Sequence, residues 1–210
     1  RWESRADGSF VAATEFDARA GDENIDPELS GWIYHRLLID SEVHIITAMI
    51  RAIVIEEIGM FDETLKIGED YDFWLRVSRR FEFHKLARPL ALYRIHGANT
   101  TATPRTVNHG YGVLRKNLRQ WGLCGPDGRC ADKKEMNQRL AQLCFDLGYA
   151  HYWHGERSLA LRQFALALNH QPSLWKSWGY LFLALARAAR PSKLTFKRGR
   201  RDTIQPADER

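Results

Sequence analysis

An α/β domain followed by an all-α segment is the architecture this sequence predicts, and three observations predict it. Up to about residue 100, short β-branched or alternating runs mix with short helical ones. From residue 136 to residue 190 the pattern is helical almost without interruption. Between these regions the Thr/Pro/Gly-rich stretch TTATPRTVNHG breaks the periodicity. At 210 residues, 44% hydrophobic and 27% charged, the chain has enough apolar content for a real core and reads as globular rather than disordered.

The first 30 or so residues are polar and broken by Gly8, Gly21 and Pro27, with one short strand candidate over residues 9–13. Asp22, Asn24 and Asp26 alternate like the start of a calcium loop. Pro27 stands where that loop needs its glycine and Ile33 where it needs its glutamate, so a calcium site is excluded. GWIYHRLL, from Gly31, predicts a short helix, and HIITAMI, from His44, a strand. Residues 52–58 predict a helix ended by Gly59. A loop then leads to a helix over residues 69–80, and FEFHKL and PLALYRIH, on either side of Arg88-Pro89, are strand candidates.

Beyond the break, GVLRKNLRQWG predicts a basic helix, followed by a Gly-rich turn over residues 122–130. Cys124 and Cys130 flank that turn. With Cys144 they make an odd count without a zinc-type pair, so free thiols in a reducing compartment are the expectation, pairing of Cys124 with Cys130 the lesser one. Leu147, Gly148, Ala160, Phe164, Ala167 and Pro172 fall at the offsets of a tetratricopeptide repeat, and Trp178 lies one repeat length after Cys144. The alternative is an ordinary helical hairpin. His151 replaces the usual Tyr, and a single unit has to lean on a neighbour.

Charge is uneven. The net value is +5, and KLTFKRGRR, from Lys193, carries most of the excess, so the end of the chain is expected to be a basic, disordered tail. The domain organisation expected is therefore 1–100, a linker with a basic helix at 101–135, a repeat-like helical region at 136–190 and the tail at 191–210. The helix in LWKSWGYLFLALARAAR is too short to span a bilayer. It either packs on the repeat, the default, or lies at a membrane surface, with 174–201 making the contact. Only charge speaks for nucleic acid, and no nucleic-acid partner is expected. The chain opens on Arg1-Trp2 with neither an initiator Met nor a leader pattern, which suggests a trimmed or partial protein.

Glu69, Asp70 and Asp72 crowd the start of the helix that carries Tyr71, Phe73 and Trp74. Acids there complement the helix dipole, and Asp72 and Arg76 stand at i and i+4, a favourable pair on an exposed face. A single carboxylate suffices for a cap, however, and close acids raise one another's pKa, so a cluster of three points to use. The surrounding residues are Gly59-x-Phe61-Asp62-Glu63, then Gly68-Glu69-Asp70-Tyr71-Asp72-Phe73-Trp74-Leu75-Arg76, then Pro89-Leu90-Ala91-Leu92-Tyr93-Arg94-x-His96-x-x-Asn99. In order and spacing these blocks resemble the C-terminal half of the catalytic domain of family-2 glycosyltransferases.

That resemblance implies a partial GT-A fold, a mixed sheet with helices, and inverting transfer of a sugar from a nucleotide-sugar donor to an acceptor hydroxyl. It implies a general base among the acids: Asp70 first, Asp72 second, with Glu69 positioning the acceptor. A carboxylate can take the proton of an attacking alcohol, which is a poor nucleophile by itself. Tyr71, Trp74 and Arg94 are the implied substrate contacts and His96 the implied metal ligand. His35 and His44 are read as structural, and Arg51 as a donor-phosphate contact or a carboxylate partner. The divalent cation, Mg2+ or Mn2+, is in that family ordinarily held by an Asp-x-Asp motif from the preceding half of the domain, and no such motif lies in this chain before the acceptor region. The resemblance further implies a glycan or lipid-linked acceptor, bacterial surface-glycan assembly, and a cytoplasmic or peripheral inner-membrane setting. The competing expectation is a catalytically inactive scaffold whose repeat-like helices recruit a protein partner.

Overall fold

The computed structural model describes residues 25–87, 91 and 105–186 in full, and by backbone alone Trp2–Ser4, Phe10–Val11, Arg94–Ile95 and residues 187–189. Of the fully described residues 59% are helical and none lies in a strand. The helices are α1 (Tyr34–Ile39), α2 (Ala52–Ile58), α3 (Glu69–Val77), α4 (His109–Trp121), α5 (Lys133–His154), α6 (Arg157–His170) and α7 (Trp175–Ala189). The backbone of three very short strands, β1 (Trp2–Ser4), β2 (Phe10–Val11) and β3 (Arg94–Ile95), pairs in the order β2-β1-β3. Strand β1 is antiparallel to β2 and parallel to β3.

The expected α/β class with a partial GT-A mixed sheet is thus corrected: the described fold is all-α. The reason is a lack of pairing partners. HIITAMI folds as a single 3-10 turn, Ile45–Thr47, flanked by extended backbone, and Ile45, Ile46 and Met49 face solvent. Only Ala48 and Ile50 of this run turn toward the core, and they are partly buried without a ladder. FEFHKL makes only isolated antiparallel bridges, Gly31 to Phe83 and Ile25 to Leu86, where alternation alone suggested a strand.

One core joins the two sequence regions. Tyr34, Leu37 and Leu38 of α1 and Phe73, Trp74 and Leu75 of α3 pack with Val113 and Leu114 of α4 and with Met136 and Leu140 of α5. Each fully buried leucine contributes about 1.5–3 kcal/mol. Helix α4, expected inside a linker, is thus a wall of this core. Helix α3 is buried nearly all round, with phenylalanines 61 and 73 in ring contact at 5.0 Å. Two long-range ties close the assembly. The Tyr34 hydroxyl donates to the carbonyl of Gly122 at 3.0 Å, 88 residues away. Burial pushes its pKa up to about 12 against the opposing charge of Arg79. The Arg79 guanidinium covers the Tyr34 ring at 4.7 Å and donates to the Cys124 carbonyl.

The turn receiving these bonds is closed by a Cys124–Cys130 disulfide, so the free-thiol expectation is corrected for this pair. The six-residue separation lets an antiparallel bridge bring the two cysteines opposite one another. Cys144 stays free and buried, and burial pushes its thiol up to about 12.

Helices α5, α6 and α7 stack in sequence. A Cβ built on Gly148 of α5 would lie 2.9 Å from the Phe164 ring of α6, so only glycine allows this approach. His151 is buried and fully paired: its Nδ1 accepts from the Glu156 N–H, which leaves Nε2 to donate to the Arg105 carbonyl at 2.7 Å. The residue that departs from the repeat pattern therefore has its own structural use. No helix among the described residues is long and apolar enough to cross a membrane.

Two outcomes follow from this packing. Gly148→Val should lower stability by about 1–3 kcal/mol, the ordinary cost of overpacking, measured by urea unfolding; an unchanged midpoint would show that α6 yields freely. In reduced native protein a thiol reagent should titrate the two exposed cysteines, Cys124 and Cys130, and reach Cys144 only in denaturant.

Candidate functional site

The acids occupy the first turn of α3. Gly68 precedes them with φ +83°, a left-handed conformation that glycine adopts without strain, and it turns the chain into the helix. From that start the three carboxylates diverge. Positions 70 and 72 are about 200° apart around a helix, so one can face out while the other faces in.

Asp72 faces in. It is fully buried, and three groups bind its carboxylate. Arg76 Nε donates to one oxygen at 2.9 Å, Lys116 Nζ reaches the other at 3.0 Å, and Asn117 Nδ2 donates at 3.3 Å. The Arg76 guanidinium also donates to the carbonyls of Ile58 and Met60, at 2.9 and 2.8 Å, tying the end of α2 and the loop beyond it to α3. Lys116 completes the group by binding Asp62 at 2.9 Å. The expected Asp72–Arg76 pair exists, but it is an interior pair and not a surface one. Bonded in this way, Asp72 is a buried ion shared between α3 and α4.

Hydrogen bonds from Thr64 and Lys116 hold Asp62 well below the usual carboxylate range. Burial pulls the Lys116 ammonium down, but its bonds to Asp62 and Asp72 outweigh this and the net shift is upward. The sign of each linkage differs. The Asp62 contribution is present at neutral pH and lost as the pH falls below the ordinary aspartate range, whereas that of Lys116 is lost only above the ordinary lysine range.

Asp70 faces out. It is half-buried, its Oδ1 accepts from the Tyr71 N–H at 2.7 Å, and among the described residues no cation pairs with it. Glu69 is half-buried beside it, also without a cation partner among the described residues. Tyr71 and Trp74 are core side chains. The Tyr71 hydroxyl donates to the Leu37 carbonyl at 2.5 Å, and burial raises its pKa. The buried Trp74 Nε1 has no hydrogen-bond partner among the described residues. Arg94 is placed by its backbone in β3, and His96 lies outside the described residues. Among the described residues no three His, Cys, Asp or Glu side chains converge to hold a metal, so these residues offer no ligand set for the divalent cation.

Two clefts of about 420 and 440 Å³ lie elsewhere, along α4, the start of α5 and the α6–α7 turn, with Lys133, Asn137 and His170 lining both. Sequence reasoning missed Lys116, Asp62 and Asn117 as members of the acid network. Asp62 was quoted only as part of a block, and Lys116 only as part of a basic helix.

Similarity to known proteins concerns part of the chain. It is 42% identical over 91 residues to an uncharacterized glycosyltransferase of Rickettsia typhi, covering 40% of this chain and 28% of that protein. It is 39% identical over 66 residues to an uncharacterized glycosyltransferase of Rickettsia prowazekii, covering 31% and 21%. The chain thus spans about a quarter of the length of these curated relatives. No protein-family profile and no solved structure matches. The two relatives support a glycosyltransferase relationship at that general level.

Removing the buried carboxylate takes one partner each from Arg76, Lys116 and Asn117 and leaves a cavity in the core. Asp72→Ala should therefore cost about 2–4 kcal/mol by urea unfolding. Lys116→Met should cost less, because that ammonium is half exposed, and the double variant should cost less than the sum of the two singles. Strict additivity would dissolve the network.

Proposed function

We propose that this chain is part of an inverting glycosyltransferase that moves a sugar from a nucleotide-sugar donor to an acceptor hydroxyl, with Asp70 as the general base. The observation that carries the reading is the contrast between neighbouring acids on one rigid helix. Asp72 is consumed by cations, whereas Asp70 stands at the helix start, half-buried and unpaired among the described residues. The named relatives and the order of the three sequence blocks support it.

In the proposed step the acceptor oxygen attacks the anomeric carbon from the face opposite the nucleotide. Its proton passes to the Asp70 carboxylate as the new C–O bond forms. The bond from the anomeric carbon to the diphosphate oxygen breaks, and the diphosphate leaves with the electron pair. Holding Asp70 on a helix whose other faces are buried fixes the base before substrate arrives, the condition under which positioning lowers a barrier. Glu69, one residue earlier, can accept a second hydroxyl of the acceptor. No metal-assisted step is assigned, since the described residues gather no ligand set. An acceptor on a surface glycan or a lipid-linked glycan completes the proposal.

The test is sugar transfer by the full-length protein. Asp70→Asn should lower kcat by about 10²–10⁴-fold with little change in the donor KM, because the amide keeps the shape and loses the basicity. Asp70→Asn with wild-type kcat would remove the base from this position. Asp72→Asn should act through stability instead, losing activity in step with its lowered unfolding midpoint.

A further inference from the structure

Helix α7 exposes its most apolar side. Trp175, Trp178, Phe182 and Leu185 recur at i, i+3, i+7 and i+10 and share one stripe, with exposures of 74%, 56%, 73% and 52%. The opposite side faces the fold: Ser177 and Ala184 are fully buried, and the Ser177 hydroxyl donates to the Phe164 carbonyl of α6. A soluble surface rarely presents such a row of large aromatic side chains without a use for it. Residues 191–210, PSKLTFKRGRRDTIQPADER, hold few large apolar residues with which to cover it.

Charge identifies the occupant. No Asp or Glu occurs between Glu156 and Asp202, while Arg162, Lys176, Arg187, Arg190, Lys193, Lys197, Arg198, Arg200 and Arg201 all fall in that interval. The apolar stripe is therefore followed by a stretch, residues 186–201, with seven cations and no acid. Tryptophans suit the headgroup level of a bilayer, where an apolar ring body and a polar N–H are both accommodated. At 15 residues the helix is about 22 Å long, short of the roughly 30 Å hydrocarbon core. It can lie along a bilayer and not cross it.

We infer that α7 is an interfacial helix that docks the protein on an anionic phospholipid surface, with Trp175, Trp178, Phe182 and Leu185 entering the headgroup layer and the following cations bound to lipid phosphates. Trp178 is braced for this, its Nε1 donating to the Pro172 carbonyl at 2.9 Å.

Flotation of the full chain with vesicles of phosphatidylcholine, with and without phosphatidylglycerol, tests the assignment. Two variants probe its two halves: Trp175→Ser with Phe182→Ser, and Lys197→Gln, Arg198→Gln, Arg200→Gln with Arg201→Gln. Wild type should float with anionic vesicles and about tenfold more weakly, or not at all, with neutral ones; each variant should lose about tenfold or more in affinity. Both substituted apolar residues lie on the exposed stripe, so an unchanged circular dichroism spectrum and unfolding midpoint should accompany that loss. The inference is overturned by an absence of flotation, or by flotation that the Trp175/Phe182 variant leaves intact. It is equally overturned if the stripe proves to hold two copies together, seen as a dimer that this variant splits while vesicles are ignored. The readout needs no sugar donor, so its failure is distinct from a failure of Asp70 in transfer.

Discussion

A carboxylate without access to water sets the terms for this fold. Taking Asp72 out of solvent costs several kcal/mol, and the Lys116 ammonium, the Arg76 guanidinium and the Asn117 amide offset it. Each partner arrives from a constrained place. Arg76 comes from the next turn of the same helix and holds the carbonyls of Ile58 and Met60 with its free nitrogens. Lys116 and Asn117 come from α4, and Lys116 also holds Asp62 in the intervening loop. Satisfying one buried charge thus fixes α3, α4 and the loop after α2 against one another.

The position of Asp70 follows from that arrangement. A helix pinned two residues further on cannot rotate, so its first turn presents Asp70 outward wherever Asp72 is held inward. The blocks that resemble a glycosyltransferase therefore combine two kinds of residue. Asp62, Asp72, Arg76 and the rings of Phe61 and Phe73 are tied into the core and its ion network, and Asp70 and Glu69 are the acids of this turn that the network does not use.

Helix ends were the most legible feature of the sequence. Gly59 and Gly122 close α2 and α4 where the pattern placed them, because a left-handed cap is a local requirement that glycine meets alone. The helical stretch from residue 136 was legible from its period, and the contact of Gly148 with Phe164 from the size of one residue. Strands were not legible, because alternation reports one face of a ribbon while a sheet needs a neighbour to bond with. Among the described residues HIITAMI finds no such neighbour, and FEFHKL meets residues 25–31 only at isolated bridges. In the candidate site, the i, i+4 pairing of Asp72 with Arg76 was visible and its burial was not. The decisive partners lie 45 residues away in Asn117 and one residue earlier in Lys116, beyond any local period. The cysteine spacing allowed both the open and the closed turn.

The shared core has a consequence for how this protein can be divided. Val113 and Leu114 of α4 and Met136 and Leu140 of α5 complete the packing around α1 and α3, and the Tyr34 hydroxyl is satisfied only across that seam. A cut in the Thr/Pro/Gly stretch would strip the outward-facing acid of the wall behind it and leave two sticky remnants in place of two autonomous modules. The acid-bearing helix and the start of the helical stack share one core, so the boundary that composition draws most clearly does not separate two cores.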